Sequence, residues 1–290
     1  MAFTQGIFDA PVVELAPCGL LSVARVKTWN KGDEKWLRGY DYEVQSTPGV
    51  EIINKTGATV TNGVVSVGDT TDFYSGEGFY ISVEKTLSGM GIVGYDPIKE
   101  TEEEILSASQ KAAEYELWEG VSLLASSSDG PFLRKESGAT VVTSGGTSAV
   151  LALRALEQSI SLSPIGARGT IHMTRDVASE LGNRLLYKGN GSSATEDRAI
   201  TRLGTRIVIG SGYTGNGPIA AVGAAASATN KWMYATGGIS VHLGPIETVS
   251  DVSAAFNTNE NDALVLLQRS AAVHFDPSIW FAAQVTLPTS

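Results

Sequence analysis

The chain of 290 residues has one cysteine, Cys18, three histidines and no long apolar run. A lone cysteine cannot close an intramolecular disulfide or build a thiolate metal site within one chain, which argues against an extracellular, disulfide-stapled protein. His172, His242 and His274 are scattered without the HExxH spacing, so a histidine metal site has little support. The apolar stretches fall far short of the ~18 residues a membrane span needs. Residues 1–11 lack a basic residue followed by an apolar run of signal-peptide length. The expectation is a soluble protein made in a cytoplasm, with no membrane partner. Basic residues are also scarce: 21 Lys and Arg stand against 31 Asp and Glu, a formal net charge of −10. Affinity won by gripping phosphates needs clustered Lys and Arg, so sequence-specific nucleic-acid binding is not expected.

What is present is material for a core. Apolar residues make up 42% and charged residues 18%, the opposite of a disordered composition. The length allows one large domain or two ordinary ones. The acidity is uneven. Residues 1–130 carry 9 basic and 20 acidic side chains, a balance of −11, whereas residues 131–290 carry 12 and 11, a balance of +1.

Pro11, Pro17 and Gly19 interrupt short apolar pieces, so the first thirty residues read as an extended arm. From Trp36 to about Ile92 the pattern is strand-like and rich in turns. Tyr40, Tyr42 and Val44 alternate, an Asn62-Gly63 hairpin signal follows, and Phe79 to Val83 forms a further strand. Few large apolar residues lie in each strand, which predicts a protruding ribbon without a core of its own. A long helix is expected from Thr101, where Thr101 and Glu104 form a capping box and Ile105, Ala108, Ala112, Tyr115 and Trp118 share a face. A second helix is expected over residues 148–160, with Ala149, Ala152, Leu153, Leu156 and Ile160 inward, and a third over residues 174–186. Strands are expected over residues 169–173, 206–209, 232–243 with a break at Gly237-Gly238, 271–275 and 279–287. The fold class is α+β. Residues 189–195, Gly-Asn-Gly-Ser-Ser-Ala-Thr, read as a mobile loop.

No motif carries chemistry convincingly. Gly210-Ser211-Gly212-Tyr213-Thr214-Gly215 fits GxGxxG after a credible strand, but Asn216-Gly217-Pro218 favours a turn over the helix that a dinucleotide site needs, so a surface loop is the better reading. GxxxxGK[ST], GxSxG and glycosidase-like carboxylate pairs are absent. Glu100, Glu102, Glu103, Glu104, Glu114, Glu116 and Glu119 read as a solvated helix face. His172, between Ile171 and Met173, reads as a hydrogen-bonded structural histidine. Asn54-Lys55-Thr56 and Asn190-Gly191-Ser192 match the glycosylation sequon by pattern only. Lys188, Arg198, Arg202 and Arg206 form a loosely basic stretch without the alternating aromatics of a single-strand platform. The expectation is no enzyme, no cofactor and no metal.

The order of elements resembles the major capsid proteins of tailed double-stranded DNA phages, the Hong Kong phage capsid fold that encapsulins share. Four stretches look like capsid proteins from phages of actinobacteria: residues 113–120 (AEYELWEG), 169–175 (GTIHMTR), 210–218 (GSGYTGNGP) and 232–241 (WMYATGGISV). The resemblance covers most of the chain from Thr101 onward and is weaker before it. It implies an N-terminal arm over residues 1–30, an extended loop with adjoining strands over 31–92, a peripheral domain with a spine helix over 93–164, an axial domain over 165–255 and return strands over 256–290. It also implies homo-pentamers and homo-hexamers tiling an icosahedral head around double-stranded DNA in a virion assembled in the host cytoplasm. Expected partners are a separate scaffolding protein, because the arm begins almost at Met1, a portal, and a decoration protein where one is used.

Candidate subunit-interface residues are Trp29, Trp36, Tyr40, Arg134, Lys135, Arg154, Arg184 and Tyr213. The aromatics would bury their faces on adjacent subunits, and the basic residues would meet acids of the front half across interfaces. Some relatives join subunits by a Lys–Asn isopeptide bond. Lys31, Lys35 and Lys55 and Asn257, Asn259 and Asn261 lie in the relevant segments, but no spacing singles out a pair and no cross-link is expected. The alternatives are an encapsulin-like compartment housing a cargo enzyme and a dinucleotide-binding enzyme using residues 210–215.

Overall fold

The computed structural model describes residues 15–33, 35–38, 40–44, 72–76, 78–88, 97–120, 131–136, 138–143, 146–163, 169–188, 198–249, 256–257 and 262–288. In chain order the elements are a helical turn α1 (Leu20–Val23), β1 (Arg25–Thr28), a 3-10 turn (Lys35–Arg38), β2 (Tyr40–Val44), β3 (Asp72–Gly76), β4 (Phe79–Ser88), α2 (Pro97–Glu119), β5 (Thr140–Val141), α3 (Ala149–Leu162), β6 (Thr170–Thr174) and α4 (Arg175–Leu181). A 3-10 turn (Gly182–Arg184), β7 (Leu185–Lys188), β8 (Arg198–Thr201), β9 (Arg206–Gly210), β10 (Asn230–Thr236), β11 (Ile239–Thr248), β12 (Phe256–Asn257), β13 (Asp262–Phe275) and β14 (Trp280–Thr286) follow. Residues 1–14, the Asn62-Gly63 hairpin, both sequons and the loop over 189–195 lie outside the described residues.

All five residues of β6 are buried, and β6 is the central strand of a seven-stranded sheet ordered β5-β14-β10-β6-β9-β8-β7. A strand turns successive side chains to opposite faces, and that period splits this sheet between two cores. Ile171, Met173, Ile207, Ile209, Met233 and Ala235 face one core, where α3 and α4 cover them. Val208, Trp232 and Tyr234 belong to the other, which they share with Ile105, Ala113, Leu117 and Trp118 of α2. The second core continues onto a five-stranded sheet in which β11 and β13 are antiparallel, β4 pairs with β13 over ten residues and β1 runs parallel to β11. β2 and β3 form a separate two-stranded ribbon. Among the described residues, no helix is long and apolar enough to cross a membrane.

Local sequence accounts for several boundaries. The Ser148 hydroxyl caps α3 by accepting from Leu151 N at 3.4 Å, and the five residues expected on its inner stripe are all buried. α2 begins one turn before Thr101, at Pro97, whose missing N–H costs nothing in a first turn; Thr101 is buried inside the helix and is not its cap. Tyr115, expected inside, is exposed, while Ala113 and Leu117 take the inner face. The third helix ends at Leu181, five residues short of expectation. Gly182 follows with φ of +45°, a conformation that glycine adopts readily, and Leu185 and Leu186 belong to a strand.

The front of the chain is also more integrated than an arm and a free ribbon would be. Cys18 and Leu20 are buried, Ile209 N donates to Cys18 O at 2.9 Å, and residues 25–28 are hydrogen-bonded into the five-stranded sheet.

Candidate functional site

The carboxylates at the end of α2 are not a solvated face. Glu114 is fully buried. One of its oxygens accepts from Leu20 N at 3.0 Å, and the other accepts from Ser211 N at 2.7 Å, Gly212 N at 2.8 Å and Ser211 Oγ at 3.1 Å. Burial raises the Glu114 carboxyl above its ordinary range, against the opposing pull of these donors. One turn on, Glu119 accepts from Arg134, Thr214 and Asn216. Burial pushes the Glu119 carboxyl up, but those three donors and the Arg134 charge outweigh it and hold the group below the usual carboxylate range. Glu116 is also buried. The signal for Glu114 is its place four residues before Trp118, on the same face of the helix as a fully buried indole.

The glycine-rich loop is the partner of these acids. It does not project as a surface loop, because residues 212, 213, 215, 217 and 218 are buried. A Cβ on Gly212 would overlap the Lys111 carbonyl, and one on Gly217 would overlap the Trp232 ring. Gly215 has φ of +80°. These glycines let a loop lie directly on α2, and the backbone N–H groups that a pyrophosphate would need are spent on Glu114; this is a correction to the dinucleotide alternative. Trp118 Nε1 and Tyr234 Oη both donate to Asn216 O, at 3.0 and 3.1 Å, filling both lone pairs of one carbonyl.

His172 completes the junction. Thr236 Oγ1 donates to Gly237 O, so it accepts from His172 Nε2 at 2.8 Å, leaving Nδ1 to accept from Tyr213 Oη at 2.7 Å. Burial pushes His172 down to about 3 and Tyr213 far up, so the imidazole is neutral and the phenol keeps its proton. His172 is a structural histidine, as the sequence implies. Tyr213, expected at a subunit interface, is a core residue packed on Trp118 with centroids 4.6 Å apart.

The other interface candidates fall into three places. Trp29, Trp36 and Tyr40 come together where the first 3-10 turn and the ribbon meet the five-stranded sheet. Trp29 stacks on His242 at 5.7 Å and donates to its Nδ1 at 2.9 Å, which fixes that imidazole as the neutral Nε2–H form. His242 stacks on His274 at 5.3 Å, Tyr42 lies 4.4 Å from His274, and Tyr42 Oη donates to Phe275 O at 3.0 Å. Burial lowers both histidines, His274 to about 4; the adjacent His242 adds to the shift at His274, as Lys27 and Arg25 do at His242. Trp36 is already buried by its own chain. Arg134 pairs with Glu119 of the same chain, and Lys135 is half-buried beside it. Arg154 on α3 and Arg184 before β7 are exposed and line one groove.

Among the described residues no group of three His, Cys, Asp or Glu side chains could hold a metal ion. Solved structures match nearly the whole chain. The capsid of an empty GTA particle, computed with C5 symmetry, superposes with a TM-score of 0.60 at 12% identity over 99% of this chain and 96% of its own. The chain has this capsid's fold. A structure from Microbacterium phage Oxtober96 matches at 0.56 with 13% identity over 98% and 96%, and one from Mycobacterium phage Adephagia at 0.55 with 12% identity over 99% and 96%. No protein-family model and no curated protein matches the sequence. The capsid fold accords with the α+β arrangement read from the sequence, and the Glu114–Glu119 clamp is the junction that ties α2 of this fold to its seven-stranded sheet.

Proposed function

We propose that the chain is a major capsid protein that assembles into pentamers and hexamers forming an icosahedral head around double-stranded DNA. The observation that carries this reading is the full-length superposition on a capsid chain, since the match extends from one end of both chains to the other and is not confined to a common local motif. Supporting it, the polar groups described at the clamp and the His172 junction serve to hold elements together, as a shell subunit requires. In this reading α2 is the spine helix of the peripheral domain, the segment before it carries the extended loop, strands β6 to β10 of the seven-stranded sheet belong to the axial domain with β14 of the return segment paired onto them, and the role is structural and not enzymatic. Scaffolding, portal and decoration proteins would be its partners in a virion assembled in the host cytoplasm. The contents of the particle distinguish a phage head from a cargo compartment. Purified particles treated with nuclease are expected to release protected double-stranded DNA on disruption; particles holding a protein cargo and no DNA would overturn the proposal in favour of an encapsulin-like shell.

A further inference from the structure

Five arginines that pair with no carboxylate among the described residues converge on one groove. It has a volume of about 1530 Å³ and runs between α3 and the strands β8 and β9, lined by Arg154, Arg184, Arg198, Arg202 and Arg206. In sequence the last three are merely four residues apart. The antiparallel register of β8 on β9, with Ile200 opposite Arg206, puts Arg198 and Arg206 on one face of the pair, and Arg202 stands in the turn between the strands. All five are exposed, and none lies within ion-pair distance of a carboxylate among the described residues. Glu157 is the one carboxylate among the described residues of the lining. One of its oxygens accepts from Thr205 Oγ1 at 2.7 Å and the other is buried without a hydrogen-bond partner. Among the described residues of the lining, five guanidinium groups against one carboxylate leave about +4, in a chain whose formal charge is −10.

Such a concentration of like charge repels itself and is retained at a cost unless something anionic enters. Guanidinium forks suit planar carboxylates, which they engage through paired hydrogen bonds. Nucleic acid fits less well. No aromatic side chain is among the described residues of the lining to stack on bases, and the acidic remainder of the molecule repels an approaching phosphate backbone. Carboxylates are abundant instead in residues 1–130, with their balance of −11, and Glu84 and Glu102 of that part are exposed. We infer that the arginine groove between α3 and the β8–β9 pair is a docking site for an acidic segment from residues 1–130 of a second copy of this chain. The inference rests on the shell reading for the presence of that neighbour, though not for the chemistry of the groove.

The test uses the full chain and the variant R198E/R202E, with R198Q/R202Q as a milder control for folding. A labelled ten-residue polyglutamate peptide and a 20-base-pair DNA duplex serve as probes at low ionic strength. The expected result is peptide binding that weakens about tenfold or more in the charge-reversed variant, by an intermediate amount in the Gln variant, and steeply with added salt, with the duplex bound more weakly than the peptide. The same reversal is expected to block assembly while leaving the thermal unfolding curve in place. Absent peptide binding, equal binding by the reversed variant, or preference for the duplex would each overturn the inference. Peptide binding as expected with particles formed equally well by R198E/R202E would overturn the assignment to a second copy. Peptide binding by a wild-type chain that never assembles would overturn the shell reading and uphold the groove as a site for acidic polypeptide.

Discussion

Glu114 is the residue on which most of the junction depends, because four donors from two separate segments converge on its two oxygens. Glutamine in its place supplies one oxygen and sets an NH2 group against backbone N–H donors. E114Q is expected to lose about 1–3 kcal/mol of stability, read as a lower denaturant midpoint, and an unchanged midpoint would show that the clamp is idle. The buried histidines make a second prediction at this scale. The unfolded chain takes protons at the three imidazoles near pH 6.5, whereas the folded chain holds His274 neutral to about 4 and His172 to about 3, with His242 also lowered. The unfolded state therefore binds more protons in this window, and stability falls as pH drops from about 6.5 toward 4 and below. Glu119, held below the ordinary carboxylate range, adds a loss at still lower pH; Glu114, raised, works the other way. Urea unfolding at pH 7.5, 5.5 and 4.5 is expected to show a decline on the order of a few kcal/mol, and a flat profile would contradict the neutral, buried assignment of the histidines.

At the scale of elements, the contact between α2 and the glycine-rich loop is set by backbone proximity. G212A must push the loop off the Lys111 carbonyl and is expected to cost about 1–3 kcal/mol, while G238A, with open space around its new methyl group, is expected to stay within about 0.5 kcal/mol. Equal effects in the two variants would mean that the close approach does not matter. This scale also shows what a sequence displays and what it hides. α3 is legible because its cap and its apolar stripe are local, from Ser148 to Ile160. The third helix is overextended because Leu185 and Leu186 continue a plausible helical period, and only the backbone angle of Gly182 marks the stop. Glu114 reads as a surface acid because its partners lie 94 to 98 residues away. The parallel pairing of β1 with β11 joins residues more than two hundred apart, and no local pattern announces it. The arginine groove is hidden for the same reason: spacing in the sequence says nothing until a hairpin brings Arg198 and Arg206 to one face.

For the whole molecule, the uneven charge now divides into two parts. Some of the front-half acidity is used inside the chain, where Glu119 meets Arg134 and Glu114 gathers backbone donors. Glu84 and Glu102 of that half stay exposed, while the second half carries a groove of exposed arginines that pair with no carboxylate among the described residues. Such a distribution suits copies that meet front to back. No cross-link between copies is expected, so denaturing electrophoresis of mature particles is expected to show a monomer band alone; a ladder of covalent multimers would contradict that expectation. Self-assembly is the property that a shell subunit must have, and negative-stain electron microscopy of the expressed protein with its neighbouring gene products tests it most directly. Rings of five and six and closed icosahedral shells are the result it predicts, and discrete monomers under all those conditions would contradict it.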